Sequence, residues 1–181
     1  MNALVRSFAV CALVLALSGC DQPEQAKAPP PAEVSDVAVG HFCGMTLPEH
    51  AGPKAQIFVA GRADPYWFSS VRQLFAFMRL AEEPKNVTAI YVNDMGKAKN
   101  WNQPEPGTWI DARKAWYVIG SSRRGGMEAD EAIPFGEQQQ AEDFVGKAGG
   151  RVVGFNDMPD DYVFPGAEPS SADATDKEDR R

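Results

Sequence analysis

The sequence is poor in the residues from which most metal sites and redox centres of proteins are built. Its 181 residues include three cysteines and two histidines, with no Cys-x-x-Cys pair and no histidine-rich tract. A closed structural zinc site needs four ligands of this kind, so the inventory excludes one. The acidic residues are scattered along the chain, and no pair of carboxylates accompanies a histidine as a hydrolytic centre would require.

An excess of positive charge and a membrane-spanning segment are also missing. There are 18 Lys and Arg against 25 Asp and Glu, a formal net charge of −7 at pH 7. An acidic surface repels nucleic acid, so nucleic acid is not an expected partner. The apolar run at residues 8–16 is about half as long as the roughly 20 residues that a transmembrane helix needs.

The N-terminal residues have the layout of an export signal. Residues 1–19 contain Arg6, then the apolar run, then the small residues Ser18 and Gly19, which is the three-part pattern of a secretory signal peptide. The sequence Leu-Ser-Gly-Cys ending at Cys20 resembles the lipobox of bacterial lipoproteins. We therefore expect cleavage before Cys20 and a lipid anchor on its thiol. The alternative is an ordinary cleavage site that leaves Cys20 free or in a disulfide.

Two flanking segments lack the apolar side chains needed for a core. Residues 20–37 are rich in Pro, Ala, Gln and Glu after the cysteine, a composition that predicts an extended, flexible tether. Residues 166–181 consist mainly of Ser, Asp, Glu, Lys and Ala, which predicts a disordered tail. The folded part of the protein is therefore expected between these segments.

The central part of the chain contains an internal duplication. The pattern F-S-x-x-x-Q-x-x-x-F at residues 68–77 recurs as F-G-x-x-x-Q-x-x-x-F at residues 135–144. A β-rich run closed by glycine precedes each copy, and a strand-like stretch ending in Asn-Asp-Met follows it. Two ββαβ repeats, at residues 38–102 and 103–165, are the simplest interpretation. The predicted fold class is α+β, with two similar halves packed together.

Each repeat is predicted to contain one amphipathic helix. Apolar residues at positions i, i+3, i+4 and i+7 form one face in each: Val71, Leu74, Phe75 and Met78, then Ala141, Phe144, Val145 and Ala148. Ser69 or Ser70 can cap the first helix, and Gly149-Gly150 can end the second. Met78 is thus expected in the core, and the equivalent positions of Met95 and Met158 in the two repeats favour structural roles for them.

Reactive side chains concentrate in the segment His41-Phe-Cys-Gly-Met45. Once Cys11 is removed with the signal peptide and Cys20 is acylated, Cys43 is the one remaining thiol, which is either an inert core residue or a functional one. In extended backbone, Cys43 and Met45 would present both sulfurs on one side, and Gly44 permits a bend. A thiolate with a thioether is a soft pair that selects Cu(I).

Cu(I) is satisfied by two or three ligands, so at least one more should come from elsewhere in the chain. Met127 is the best candidate, because it lies on a glycine-flanked segment without apolar periodicity; the alternative is a surface or hinge methionine. His41 could supply a nitrogen ligand or cap the site. The adjacent Arg123 and Arg124 are either a solvated turn or a contact for an acidic patch on a partner.

Taken together, these motifs resemble the NosL family. The motifs are C-G-M at residues 43–45, W-I-D-A-R-K-A-W-Y-V at 109–118, G-G-M ending at Met127 and I-P-F at 133–135, and the resemblance covers residues 37–164. It implies paired ββαβ units and a periplasmic Cu(I) chaperone. Members are accessory lipoproteins of nitrous oxide reductase, and the family implies delivery of copper for its multicopper centre with help from a membrane transporter complex.

The resemblance also implies which residues form the copper site. The positions that match the family's copper site are Cys43, Met45 and Met127, with His41 as an additional position. The expected function is a Cu(I)-binding protein, not an enzyme, held by Cys20 at the periplasmic side of the cell membrane. Two alternatives remain from the residues alone. One is a thiol-based redox protein in which His41 activates Cys43, although it lacks a resolving cysteine. The other is a lipid-anchored scaffold that binds a partner complex and no metal.

Overall fold

The computed structural model describes residues 28–166. The signal peptide, Cys20, the first part of the predicted tether and the tail at 167–181 lie outside the described residues. The strands are β1 (Ala55–Val59), β2 (Tyr66–Phe68), β3 (Val87–Asn93), β4 (Trp109–Asp111), β5 (Trp116–Ile119), β6 (Ile133–Phe135) and β7 (Arg151–Gly154). The helices are α1 (Val71–Arg79), α2 (Gln138–Ala148) and α3 (Asp160–Val163). Within residues 28–166, no helix has the length and apolar character to cross a membrane.

The strand order confirms the duplication. Two antiparallel sheets have the orders β2-β1-β3-β4 and β6-β5-β7, so the first strand of each repeat lies between the second and the last. α1 connects β2 to β3, and α2 connects β6 to β7. The predicted pair of ββαβ units is therefore present. β4 is an addition, which comes from the start of the predicted second repeat but extends the first sheet beside β3.

The two repeats share one hydrophobic core. Leu74 and Phe75 of α1 are buried together with Tyr117 of β5, and the rings of Phe75 and Tyr117 meet edge to face with their centroids 5.1 Å apart. Met158 is buried in the same cluster, and Met78 packs against it. Both methionines therefore have the structural roles that the sequence predicts.

Helix α1 begins at the expected place but is capped from the other repeat. Ser70 is its N-cap residue, yet the Ser70 side chain makes no capping hydrogen bond, which differs from the sequence prediction. The Ser70 hydroxyl donates to Glu131 Oε1 at 3.1 Å, and the same oxygen accepts the Arg72 N–H at 3.2 Å. A carboxylate from the second repeat thus satisfies a free N–H of the first helix turn, where negative charge is favourable.

A carboxylate of the first repeat likewise holds the segment just before α2 in the second repeat. Asp94, at the end of β3, is fully buried, and its Oδ1 accepts the N–H of Gly136 at 3.0 Å. At the other end of α2, Gly149 has φ +73° and donates to the carbonyl of Val145 at 2.8 Å. Glycine therefore ends the helix with a positive φ, as expected from Gly149-Gly150, but the ψ of −169° at Gly149 lies outside the left-handed helical region.

Residues 28–37 lie against the first sheet, although the sequence assigns them to the flexible tether. Gln56 of β1 is fully buried and exchanges two 2.9 Å hydrogen bonds with the backbone of Ala32. The Tyr91 hydroxyl donates to the carbonyl of Pro29 at 2.7 Å. The Glu33 carboxylate accepts hydrogen bonds from the Gly107 N–H and the indole of Trp109. A proline-rich segment cannot form a core, but its unpaired carbonyls can bind polar side chains on the outer face of a sheet.

Candidate metal centre

Cys43 lies in a tight hairpin formed by residues 38–47, here called the Cys43 hairpin. The N–H of Gly40 donates to the carbonyl of Met45, and the N–H of Gly44 donates to the carbonyl of Gly40, both at 2.9 Å. Gly44 has φ +66°, which a glycine adopts without strain. The bend permitted by Gly44 is therefore present, but Cys43 and Met45 lie on a chain reversal and not on the extended backbone that would align their side chains.

The Cys43 thiol contacts the start of the first helix. Its Sγ lies 3.5 Å from the Ser69 hydroxyl, which in turn is 3.4 Å from the side-chain carbonyl of Gln73. On the other side, a Cβ at Gly40 would lie only 2.5 Å from Sγ, so the thiol requires glycine there. Cys43 is half-buried and makes no disulfide with the described residues. It is thus a fixed thiol that a ligand can still reach.

The surface around Cys43 is unusually apolar. Phe42 and Met45 on either side of it are 41% and 39% exposed. Among the side chains that the structure describes, which do not include that of Met127, the exposed large hydrophobic ones are these two with Val37 and Val39 of the same segment. The thiol and the neighbouring thioether are therefore both accessible from outside the protein.

Met127 lies at the tip of a second hairpin, residues 124–130, here called the Met127 hairpin. Arg124 and Asp130 pair across its base through their backbones and through an ion pair. The Gly125 N–H donates to the carbonyl of Ala129 at 3.0 Å, and the tip is a 3-10 turn at Gly126–Glu128. Met127 is therefore presented by a closed turn, as its glycine-rich surroundings suggest.

The two hairpins meet at Ser69. A Cβ at Gly126 would lie 3.3 Å from the Ser69 carbonyl and 3.0 Å from Cβ of His50. The backbone next to Met127 thus packs on the residue whose hydroxyl contacts the Cys43 thiol. Segments that are more than 80 residues apart in sequence converge here. Among residues 28–166, no three His, Cys, Asp or Glu side chains cluster as a metal site.

His41 is held by neighbours other than the thiol. Its Nε2 is 2.8 Å from the carboxylate of Glu83, and its ring meets those of Tyr66 and Phe77 edge to face at centroid distances of 4.8 and 5.4 Å. Since Nε2 is paired with Glu83, the ring can offer a metal only Nδ1. The pairing of His41 with Cys43 that a redox role would use is replaced by the pairing with Glu83.

His50 is a second nitrogen donor that the sequence analysis did not select. It is 92% buried, and its Nε2 has no hydrogen-bond partner among the described residues. Its Cβ borders Gly126 of the Met127 hairpin. A single histidine in a short loop carries no sequence signal, because its proximity to Gly126 depends on the packing of two distant segments.

A buried pair of opposite charge lies under the Met127 hairpin. Burial lowers the pKa of the Lys54 ammonium to about 8, against the opposing effect of the Glu131 charge. Burial raises the pKa of the Glu131 carboxyl to about 7, against its hydrogen bonds from Arg72, Ser70 and Ala132 and the charge of Lys54. Lys54 Nζ also donates to the carbonyls of His50 and Gly52 at 2.7 and 2.6 Å. Lys54 and Glu131 therefore support the Met127 hairpin from below.

The two arginines beside the Met127 hairpin have partners within the chain. The Arg123 guanidinium lies 4.3 Å from the ring centroid of Trp101, a cation–π contact. Arg124 is paired with Asp130. Both side chains therefore make contacts that stabilise the Met127 hairpin.

The fold and the site define a class of protein. It is a duplicated α+β domain that presents the half-buried thiol of Cys43 and the exposed thioether of Met45 at its surface. The chain belongs to the NosL family, whose pattern it matches over residues 31–163.

Individual relatives agree with this assignment. The chain is 43% identical over 180 residues to the copper-binding lipoprotein NosL of Achromobacter cycloclastes, covering 99% of this chain and 93% of the relative. It is 34% identical over 163 residues to the protein of the same name from Stutzerimonas stutzeri, covering 87% and 84% of the two chains. The crystal structure of the copper chaperone NosL from Shewanella denitrificans superposes with a TM-score of 0.68 at 30% identity, covering 73% of this chain and 98% of that one. These names describe binding proteins and not enzymes, as the sequence predicts.

Proposed function

We propose that this chain is a lipid-anchored Cu(I) chaperone at the periplasmic side of the cell membrane. The observation that carries the proposal is the convergence of the Cys43 thiol and the Met127 hairpin on Ser69. Cys43, Met45 and Met127 then supply one thiolate and two thioethers to a single ion. Soft ligands of this kind select Cu(I) over Zn(II) and over cations that prefer oxygen.

The exposure of the site suits transfer of the metal. A chaperone must bind copper tightly and yet release it when a partner offers a competing ligand. Met45 is 39% exposed and Cys43 is half-buried, so an incoming ligand can reach the ion without unfolding the protein. The nitrogen donors are secondary in this scheme, because His41 Nε2 is already paired with Glu83 and His50 Nε2 is buried.

The proposed partners are nitrous oxide reductase and its membrane transporter complex. These partners are what the resemblance to the NosL family implies, and the names of the relatives state only copper binding and the lipoprotein form. Acylation of Cys20 would hold the chain at the membrane beside such a complex. The copper it carries would be used in assembly of the multicopper centre of the reductase.

The proposal is tested in cells that lack this chain but express the reductase. Complementation with the wild-type chain should restore the copper content of the purified reductase and the reduction of nitrous oxide. Complementation with Cys43→Ser, matched for membrane abundance, should restore neither. In parallel, the mature lipoprotein in detergent should bind about one Cu(I). Full restoration by Cys43→Ser, or absence of Cu(I) binding by the wild-type chain, would overturn the proposal.

A further inference from the structure

Glu131 connects the elements that carry the two halves of the site. It is 2% exposed, and its Oε1 accepts hydrogen bonds from the Ser70 hydroxyl, the Arg72 N–H and the Ala132 N–H at 3.1, 3.2 and 2.9 Å. Ser70 directly follows Ser69, whose hydroxyl contacts the Cys43 thiol. One oxygen of Glu131 thus holds the backbone that supports Cys43.

The other carboxylate oxygen faces the Met127 hairpin. A methyl group at Gly125 would overlap Glu131 Oε2 and lie 3.0 Å from both Cβ and Cδ of Glu131. Gly125 is two residues before Met127, and its N–H closes the base of the hairpin. The Glu131 side chain therefore sets how closely the hairpin approaches Ser69.

The Glu131 backbone is also fixed. The hydroxyl of Tyr162, in α3, donates to the Glu131 carbonyl at 2.8 Å. The residue is held at its backbone and by three side-chain hydrogen bonds. Its other carboxylate oxygen, Oε2, is therefore fixed in position and limits how closely the Met127 hairpin can approach. Such groups outside the ligand set commonly tune metal affinity by orienting the ligands.

We propose that Glu131 is a positioning residue for the copper site, which holds the Met127 hairpin in register with the Cys43 thiol. The inference rests on the proposed function, since it concerns the same site. It assigns Glu131 no contact with the metal. Its role is to make the sulfur of Met127 available at the distance from Cys43 that one Cu(I) ion requires.

Two variants separate the effect of the shape of the Glu131 side chain from the effect of its charge. Glu131→Gln keeps the shape of the side chain and an oxygen that can accept the three hydrogen bonds, so Cu(I) affinity should stay within about threefold of wild type. Glu131→Ala removes the carboxylate that limits the approach of the hairpin, together with its hydrogen bonds. Cu(I) affinity should then fall about 10- to 100-fold, the usual effect of losing a group that orients a ligand. X-ray absorption of the Cu(I)-loaded Glu131→Ala protein should show one sulfur fewer than wild type.

Gly125→Ala tests the same contact from the hairpin side. It leaves every hydrogen bond to Glu131 Oε1 in place, and Gly125 has φ −85°, which alanine tolerates. The added methyl group must displace the hairpin from Glu131. Affinity and sulfur count should therefore fall as they do for Glu131→Ala, so the inference can be tested even if Glu131→Ala does not fold.

Asp94→Ala is the matched control. Asp94 is a buried carboxylate that holds the entry of the other helix through the N–H groups of Gly96 and Gly136. None of its side-chain partners belongs to either hairpin. It should lower the melting temperature of the apo protein much as Glu131→Ala does, while leaving the Cu(I) affinity and sulfur count unchanged.

The outcomes distinguish this inference from the proposed function. If the wild-type chain binds Cu(I) but Glu131→Ala or Gly125→Ala keeps full affinity and the full sulfur count, Glu131 does not position the site and the inference fails alone. Equal losses of affinity in Asp94→Ala and Glu131→Ala would also overturn it, because general destabilisation would then explain both. A wild-type chain that does not bind Cu(I) would overturn the proposed function together with the inference.

Discussion

The sulfur of Cys43 lies 3.5 Å from the hydroxyl of Ser69, the residue just before the N-cap of α1. This contact places the thiol on the start of the first helix and not in the hydrophobic interior. Because Gly126 packs on the same serine, the thiol and the Met127 hairpin share one support.

Cys43→Ser should weaken Cu(I) binding by at least about 100-fold, since it removes the one anionic soft ligand, a larger change than altering a group that only orients a ligand. Titration of the mature lipoprotein against a chromogenic Cu(I) chelator measures the effect. Ser69→Ala is the control, because it keeps the thiol and removes one neighbour, and its effect should be about tenfold or less. An unchanged affinity in Cys43→Ser would remove the thiol from the site.

Met127→Leu should leave the apo protein almost as stable as wild type, because it conserves volume and apolarity. With Cu(I) bound, X-ray absorption should show one sulfur fewer, and the rise in melting temperature on adding Cu(I) should be smaller. Met158→Leu is the matched control in the core and should keep both properties. If Met127→Leu keeps the wild-type thermal shift and sulfur count, Met127 is not a copper ligand, and the remaining ligand should be sought at His41 and His50.

Cys20→Ala should move the protein from the membrane fraction to the soluble fraction while Cu(I) binding is retained. Cys20 is 23 residues before Cys43, and the composition of the intervening proline-rich segment predicts a tether, so lipid attachment and copper binding should be independent. Fractionation followed by Cu(I) titration of the soluble protein measures both. Retention in the membrane fraction would mean that Cys20 is not the anchor.

Removal of residues 28–34 should lower the melting temperature of the apo protein, whereas removal of residues 21–27 should not. Without residues 28–34, the buried side chain of Gln56 loses both hydrogen bonds to Ala32, at a cost of about 2–4 kcal/mol. In the full-length chain, Gln56→Leu should also lower the melting temperature, because it leaves the Ala32 N–H and carbonyl without their side-chain partners. Equal stability of the two shortened chains would contradict the packing of this segment.

The stability of the apo protein should fall as the pH rises from about 4.5 to 7. The pKa of Glu131 is raised from 4.5 to about 7 by burial. In this interval the unfolded chain releases the Glu131 proton while the folded chain keeps it, so the folded state binds more protons and loses relative stability with rising pH. Lys54, with a pKa of about 8, stays charged throughout. Thermal melts at pH 5 and pH 7 should differ less in Glu131→Gln than in wild type, and equal differences would contradict this assignment.

The sequence by itself determined the features that depend on local pattern. The repeat of the helical motif predicted the two ββαβ units, because apolar spacing specifies which face of each element is buried. The helix end with positive φ at Gly149 and the bend at Gly44 followed from the conformational freedom of glycine. Cys43, Met45 and Met127 were selected by residue chemistry and by the family resemblance, and the structure brings the Cys43 and Met127 hairpins together.

Only the tertiary structure decided the contacts between segments that are distant in sequence. Glu131 caps a helix that begins 60 residues earlier in the chain, in place of the local serine, and His41 pairs with Glu83 instead of facing the thiol. Residues 28–37 lie on the sheet because buried Gln56 needs partners for its side-chain amide. Composition and periodicity describe what one segment can form alone, whereas the partners of a buried polar group depend on which other segments the packing of the two repeats brings beside it.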